Sequence, residues 1–177
     1  MGTYEYLKEF LPPHPEYDGT NRNWFYPVEE KSIGEAEKRI GFDFPNQLKA
    51  FYREIGYGSL YAPHDITDGY QTFLSNKIFP PSMVADIMIN GPESGLIIDS
   101  FYELLEPGDL PFFEIGDSTR FLIMKLYSDN PNAIWAFGNI KIEDSFEKFI
   151  WRLYYESPWF YDDIIEAHYK NLSSSLK

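Results

Sequence analysis

The sequence predicts an α+β domain, in which a mostly antiparallel sheet of about 4–6 strands has helices packed at its face and ends. Three observations predict this class: helical patterns over residues 32–56, short aromatic or β-branched runs over residues 112–137, and helical patterns again over residues 144–168. This order differs from the regular strand and helix alternation of nucleotide-binding folds. A chain of 177 residues can bury about 70% of its unfolded surface, so we expect one domain over residues 1–177.

Residues 1–30 are predicted to be a lead-in that docks on the core. Its aromatic stretch, residues 4–10, is followed by prolines that fix φ and remove backbone donors, which prevents one long helix. The three rings at positions 24–26 are too apolar as a group to be left in water. We therefore expect a core over residues 31–156 and a C-terminal helix and tail over residues 157–177.

A helix hairpin is the first clear signal in the predicted core. Ser32 and Glu35 have the spacing of a capping box, and apolar residues follow at helical intervals until Gly41, a residue typical of helix ends. Pro45 occupies the favoured first position of a second helix. The apolar stripe of that helix stops at Gly56.

The middle of the chain has a weaker pattern. Residues 70–74 and 77–79 fit either strands or loop, and two prolines precede a predicted helix over residues 82–89. Residues 96–99 have the composition of a strand. Residues 101–105 either extend that strand or form a helical turn, since their apolar spacing suits a helix better than alternation.

An antiparallel meander follows, predicted from three short runs rich in aromatic and β-branched residues. These runs, residues 112–115, 121–127 and 133–137, are separated by Gly, Asp, Ser, Asn and Pro. Such turn residues between short strands favour hairpin connections over helical crossovers.

Two helices are predicted at the C-terminal end. Asp144 is expected to cap the first, with Glu147 three residues later, and Ser157 is expected to open the second, which continues to His168. The polar tail over residues 173–177 is expected to fray.

The charge balance limits the classes of partner. The chain has 28 Asp and Glu against 15 Lys and Arg, a net charge of −13, which argues against direct binding of nucleic acid or of an anionic membrane. The absence of Cys excludes disulfides, thiolate metal sites and a cysteine nucleophile. No apolar run approaches the roughly 20 residues of a membrane span, and the first ten residues carry charges instead of a signal-peptide core. We therefore expect a cytoplasmic protein.

Several motifs, in order, carry a family resemblance. The first comprises ten residues of the helix hairpin: Ile33, Glu37, Ile40, Gly41, Phe44, Pro45, Leu48, Phe51, Tyr52 and Gly56. Residues 110–116, 133–137 and 144–150 provide the later ones. Together they resemble the SUKH superfamily (Smi/Knr-like) over roughly residues 31–156. The loop at residues 116–120 departs from the family pattern, which often has more glycine and aspartate there.

The resemblance implies an immunity protein, which protects a bacterium by binding and blocking a toxin, often a nuclease. Fungal relatives instead regulate cell-wall synthesis as interaction hubs, and this remains the alternative. In neither case does the family imply catalysis, a cofactor or a metal.

The sequence also contains a few candidate catalytic groups. His64 beside Asp65 would be half of a site, but adjacent residues rarely point into one site and no third metal ligand follows at a suitable spacing. Two sets of carboxylates invite comparison with glycoside hydrolases: Asp99 with Glu103, and Asp162 and Asp163 with Glu166. A solvated acidic face explains both sets more simply, and a carbohydrate-active enzyme stays the less favoured alternative.

The acids are concentrated in two segments. Residues 96–120 contain six acids and one base, and residues 143–168 contain seven acids and two bases. We expect them to form a surface that binds a basic toxin, such as a nuclease, by occupying the Lys and Arg side chains with which the toxin binds phosphate. The partner-binding candidates are Asp99, Glu103, Glu106, Asp109, Glu114, Asp117, Trp159, Tyr161, Asp162 and Asp163.

Aromatic rings are expected both in the core and in this surface. Periodicity predicts that most of six rings lie in the core: Phe51, Phe121, Phe137, Phe146, Phe149 and Trp151. Three consecutive rings cannot all be buried on one face of a helix or strand. We therefore expect at least one exposed ring at residues 24–26 and another at residues 159–161, unless the flanking segments cover them.

Overall fold

The computed structural model describes residues 2–13, 23–60, 76–116, 120–157 and 159–175 of the chain. Within these ranges the chain forms a seven-stranded sheet whose strands follow one another in chain order, each antiparallel to its neighbours. The α+β class is confirmed, with a sheet somewhat larger than the predicted 4–6 strands.

The seven strands are short and lie side by side in chain order. They are β1 (Trp24–Tyr26), β2 (Tyr57–Ser59), β3 (Lys77–Ile78), β4 (Asp109–Glu114), β5 (Phe121–Lys125), β6 (Ile134–Ala136) and β7 (Ile140–Glu143). The helices are α1 (Glu30–Ile40), α2 (Asn46–Glu54), α3 (Pro81–Asn90), α4 (Asp99–Tyr102), α5 (Phe146–Tyr155) and α6 (Phe160–Ser175). Two 3₁₀ helices are described as well, an N-terminal one over Glu5–Phe10 and a second over Gly91–Ser94.

The helix hairpin is confirmed, with different caps at its helix starts. α1 begins at Glu30, so Ser32 lies inside the helix and its predicted capping role is wrong. Gly41 ends α1 with φ of +78°, a conformation that glycine adopts without steric cost. Pro45 stands one residue before α2 as its cap, not in the first helical position.

The middle of the chain contains one wrong strand prediction. β3 covers Lys77–Ile78, so the strand alternative holds for most of residues 77–79, and residues 82–89 lie in α3, as predicted. Residues 70–74 are outside the described ranges. The predicted strand over residues 96–99 is absent, because Ile98 is instead the cap of α4. Its backbone carbonyl accepts hydrogen bonds from the N–H groups of Phe101 and Tyr102. The helical turn expected within residues 101–105 is therefore the better of the two alternatives.

The predicted meander is confirmed as β4, β5 and β6, and the sheet adds β7. The chain turns back after β6 through Gly138 and Asn139, which both have positive φ, at +80° and +60°. Ile140 and Ile142 of β7 are buried and Lys141 is exposed, the alternation of a half-buried strand.

The cap of α5 is Ser145, and the predicted cap Asp144 is wrong. The Ser145 hydroxyl accepts a hydrogen bond from the Lys148 backbone N–H at 3.3 Å and donates to Oε1 of Gln47 at 3.0 Å. α6 extends to Ser175, so the helix continues through part of the tail that was expected to fray.

The core is an aromatic cluster between the sheet and the helices. Phe51 and Phe146 pack edge to face at 5.4 Å, and Phe112 and Phe149 at 6.1 Å. The N-terminal 3₁₀ helix packs against this cluster with buried residues that include Leu7 and Phe10.

Four of the six rings expected to lie mostly in the core are buried, which confirms that prediction, and two are not. Trp151 is 45% exposed, because it lies outside the buried stripe of α5, and Phe137 is half-buried. None of the described helices has both the length and the apolar composition to cross a membrane.

Candidate partner-binding surfaces

The predicted acidic residues do not form one surface, because two of them lie at opposite ends of β4. Asp109 is the first residue of this strand and Glu114 is the last. Five steps along an extended strand separate the two positions by about 17 Å. Asp109 and Glu114, although close in sequence, therefore lie in two distinct parts of the molecule.

Asp99 begins α4 and Glu103 directly follows it; both are exposed and have no cation within ion-pair distance among the described residues. The two later acids, at the first end of β4, are neutralised. Lys125 Nζ lies 3.0 Å from Oε2 of Glu106 and 3.5 Å from Oδ1 of Asp109. Asp109 is only 6% exposed and accepts the Glu106 backbone N–H at 2.9 Å. The prediction that Asp109 contacts a partner is therefore wrong, since its carboxylate is enclosed in the fold.

The pKa values at this end reflect the same arrangement. Burial raises the pKa of Asp109, although the Glu106 backbone N–H and Lys125 oppose that rise. The pKa of Glu106 is lowered, mainly by the hydrogen bond from Lys125. Lys125 therefore holds two carboxylates in place, and neither is an unpaired charge available to a partner.

At the second end, the structure also corrects Tyr161. This side chain is fully buried, and its hydroxyl donates to Oδ1 of the buried Asn76 at 2.7 Å. The same Asn76 oxygen accepts the Gly116 backbone N–H at 3.2 Å. Tyr161 is thus a structural residue of α6, because the first turn of this helix packs onto the sheet.

The remaining candidates at the second end differ in exposure. Trp159 is half-buried, and Asp163 is exposed. Burial raises the pKa of Asp162, and the nearby Arg120 opposes this shift. Glu114 lies 3.4 Å from Lys77, and Asp117 is outside the described residues.

A second kind of surface, formed by two exposed and two half-buried rings, was not predicted. Tyr6 of the N-terminal 3₁₀ helix contacts Tyr154 and Tyr155 of α5, and Tyr155 in turn contacts Trp151; we name these four residues the ring surface. Tyr6 lies 5.2 Å from Tyr154 and 5.4 Å from Tyr155, measured between ring centroids. Trp151 lies 5.2 Å from Tyr155 and completes the row.

Carboxylates border the ring surface. Glu147 precedes Trp151 by one helical turn on α5, and it lies close enough to Tyr6 to help raise the pKa of that phenol, a shift caused mainly by burial. Glu9 accepts a hydrogen bond from the Tyr154 hydroxyl at 3.3 Å. The spacing of Glu147, Trp151 and Tyr155 at intervals of four, outside the buried stripe of α5, is the sequence signal that indicates this surface.

Other exposed rings lie elsewhere on the molecule. Phe42 and Tyr127 are 41% and 65% exposed and meet edge to face at 5.6 Å. On the edge strand β1, Tyr26 is 45% exposed and lies 5.3 Å from the half-buried Trp24, so the expectation of an exposed ring there is confirmed. Within residues 159–161 the two later rings are buried and only Trp159 is partly accessible.

The arrangement offers surfaces for binding, and its charged groups are mostly engaged with one another. Lys49 pairs with Glu37 at 2.6 Å, and Lys141 pairs with Asp144 at 2.9 Å. Among the described residues, no three His, Asp or Glu side chains are grouped so that they could hold a metal ion. The exposed carboxylates without such a partner in the described ranges include Glu93, Asp99, Glu103, Asp129 and Asp163.

Comparison with known proteins identifies the family. The chain is 30% identical over 145 residues to a Bacillus subtilis (strain 168) protein named Immunity protein YxxD, and the alignment covers 81% of this chain and 91% of the relative. No solved structure gives a significant match. The sequence profile of the SMI1 / KNR4 family (SUKH-1) matches residues 27–152. This match confirms the resemblance seen in residues 31–156, and the chain belongs to the SMI1 / KNR4 family (SUKH-1).

Proposed function

We propose that this protein is a non-enzymatic immunity protein, which binds a basic protein toxin in the cytoplasm and blocks its active site. The observation that carries the proposal is the similarity to the Bacillus subtilis immunity protein, which extends over most of both chains. The proposal assigns the molecule no reactive group, so its activity is the occupation of a surface on another protein.

The charge of the chain supports a basic toxin, and in particular a nuclease. A nuclease presents Lys and Arg to hold phosphate, and a net charge of −13 attracts such a surface over distances of about a Debye length, roughly 8 Å at physiological salt. Attraction of this kind raises the association rate without requiring that each acid touch the partner. Asp99 and Glu103, which are exposed and unpaired in the described structure, are therefore proposed as steering residues.

The proposal is tested by protection from a toxin encoded beside this gene. Cells that express the toxin should grow when this protein is co-expressed, and the purified proteins should form a complex that abolishes toxin activity. If neither protection nor binding occurred at low salt with any adjacent toxin, the immunity assignment would fail. A gene without a neighbouring toxin would instead favour the alternative, a regulatory interaction module of the cell-wall type.

The steering role has a matched charge control. Asp99→Asn with Glu103→Gln removes two exposed charges on and beside α4, and Glu29→Gln with Glu35→Gln removes two exposed charges on and beside α1. We expect the first pair to reduce the association rate several-fold more at low salt than the second pair, with little change in dissociation. Equal effects of both pairs would show that only the total charge matters and would remove the special role of Asp99 and Glu103.

A further inference from the structure

We infer that the ring surface is the contact that holds the toxin, and that it receives an arginine-bearing segment of that protein. The inference rests on the proposed function and adds to it the place of contact and the chemistry of the contacting group. In this account Asp99 and Glu103 raise the association rate of the toxin, whereas the ring surface lowers its dissociation rate.

Exposure is the first argument. The core needs only one face of α5, which buries Phe146, Phe149, Ile150 and Leu153. Trp151 and Tyr155 lie outside that face and are 45% and 51% exposed, so about half of each side chain remains open to a partner. Tryptophan and tyrosine are the residues that most often dominate binding energy at protein interfaces.

Preorganisation is the second argument. Tyr154 and Tyr155 meet perpendicularly with centroids 4.6 Å apart, and Tyr6 packs against both from the N-terminal 3₁₀ helix. The hydrogen bond from Tyr154 to Glu9 further restrains the row. Rings that already restrain one another lose little conformational entropy when a partner covers them.

Charge complementarity identifies the occupant. Glu147 lies one turn before Trp151, and its carboxylate has no cation within ion-pair distance among the described residues. Glu9 borders the row at Tyr154. Ring faces beside carboxylates suit a guanidinium, which stacks on an aromatic face while its N–H groups reach an acid.

The local cations do not compete for this position. Lys8 of the N-terminal 3₁₀ helix is paired with Glu5 at 2.8 Å. Lys148 and Arg152 of α5 both reach toward Glu143 of β7, at 3.0 and 3.2 Å. The described ion pairs therefore leave the acidic border of the ring surface available to an incoming arginine.

The test combines a toxin arm with a peptide arm. The double variant Trp151→Ala/Tyr155→Ala is compared with Phe42→Ala/Tyr127→Ala, which removes an exposed ring pair of similar size elsewhere. In complex with the adjacent toxin, the first variant should raise the dissociation rate about tenfold or more and the second should leave it within about twofold. Circular dichroism verifies that both variants keep the fold.

The peptide arm uses (Arg-Gly)₅ and its lysine analogue (Lys-Gly)₅ as probes in an NMR titration. The arginine peptide should shift the indole N–H signal of Trp151 more than those of the other three tryptophans, and the lysine peptide should shift it less. Glu147→Gln should weaken this shift.

The outcomes separate the inference from the proposed function. If the wild type binds no adjacent toxin, the proposed function and the toxin contact both fail, and the peptide arm then tests only whether the ring surface binds arginine. If the toxin binds but Trp151→Ala/Tyr155→Ala dissociates like the wild type, the immunity assignment stands and the ring surface is not the contact. Peptide-induced shifts spread evenly over the four tryptophans would overturn the arginine assignment.

Discussion

Substitution of Glu143 by Gln should destabilise the protein by about 2–3 kcal/mol at neutral pH. Glu143 ends β7, is 6% exposed, and joins this strand to α5. Its carboxylate accepts from the Asp144 backbone N–H at 3.0 Å, from Lys148 Nζ at 3.0 Å and from Arg152 Nη1 at 3.2 Å. Burial raises its pKa, but these three donors outweigh burial and the pKa lies below its usual range.

The magnitude follows from what each donor loses. The Lys148 side chain is 64% exposed and returns to water at a cost of about 0–1 kcal/mol. Arg152 is 23% exposed but keeps Glu156 at 2.7 Å, so the change does not leave a buried charge without a partner. The main loss is a charge-assisted hydrogen bond in a buried position, worth about 1.5–3 kcal/mol. At about 2–4 °C per kcal/mol for a chain of this length, Tm should fall by about 4–12 °C.

The pH dependence gives the sharper version of this test. Because the folded pKa of Glu143 is lowered, its stabilisation is complete above the unfolded value of about 4.3 and is lost as the pH falls through the folded value. Urea unfolding followed by circular dichroism should therefore show a constant difference between wild type and Glu143→Gln from about pH 5.5 to 8, which narrows below about pH 4.

Lys148→Met serves as the control for Glu143→Gln, with an expected change of at most about 1 kcal/mol. A Glu143→Gln protein that unfolded like the wild type at pH 7, or a difference that persisted unchanged at pH 3, would refute the reasoning.

Three further predictions concern other buried or capping groups. Ser145→Ala should destabilise by about 1–2 kcal/mol and Asp144→Ala by less than about 0.5 kcal/mol in urea unfolding, and the reverse order would restore Asp144 as the cap of α5. Asn76→Ala should cost about 2–4 kcal/mol, because it leaves a buried hydroxyl and a backbone N–H unpaired, whereas Tyr161→Phe should cost about 1 kcal/mol; equal losses would contradict this. Burial raises the pKa of Asp109, so its ionised form costs stability at neutral pH, and the wild type should gain stability relative to Asp109→Asn as the pH falls from 7 to 4. A thermal unfolding series in which that difference stayed flat would exclude the raised pKa.

The helices of this fold are predictable because their signals are local. Ile33 and Ala36 of α1 and Leu48 and Phe51 of α2 are buried at the intervals that the sequence shows. The end of α1 at Gly41 follows from a conformation that glycine favours. A repeated stripe with a terminal glycine requires no knowledge of the rest of the chain.

The features that the sequence did not predict are very short or depend on tertiary contacts. β7 has only four residues, and its alternation is too short to stand out from the turn before it. Asp144 and Ser145 are adjacent capping residues, and the contact of Ser145 with Gln47 of α2 selects the second. Ser32 does not cap α1, because the helix already begins at Glu30. Glu30 pairs with Arg53 of α2, a contact that the local sequence does not show.

The candidate surfaces required the tertiary structure for the same reason. Lys125 neutralises Glu106 across 19 residues of chain, so a count of charges along the sequence overstates the exposed acid. The ring surface joins segments that are about 145 residues apart, as the contact between Glu9 and Tyr154 shows. Periodicity along α5 includes Trp151 among the candidate core rings, and only the packed helix shows that this side chain faces outward.

Titration of a toxin's activity with this protein tests the central claim most directly. With the toxin from an adjacent gene, increasing amounts of the protein should abolish that activity in a saturable manner, and the association rate should fall steeply as salt is raised from about 0.05 to 0.5 M. A toxin that stayed fully active in the presence of excess protein at the lower salt concentration would contradict the account.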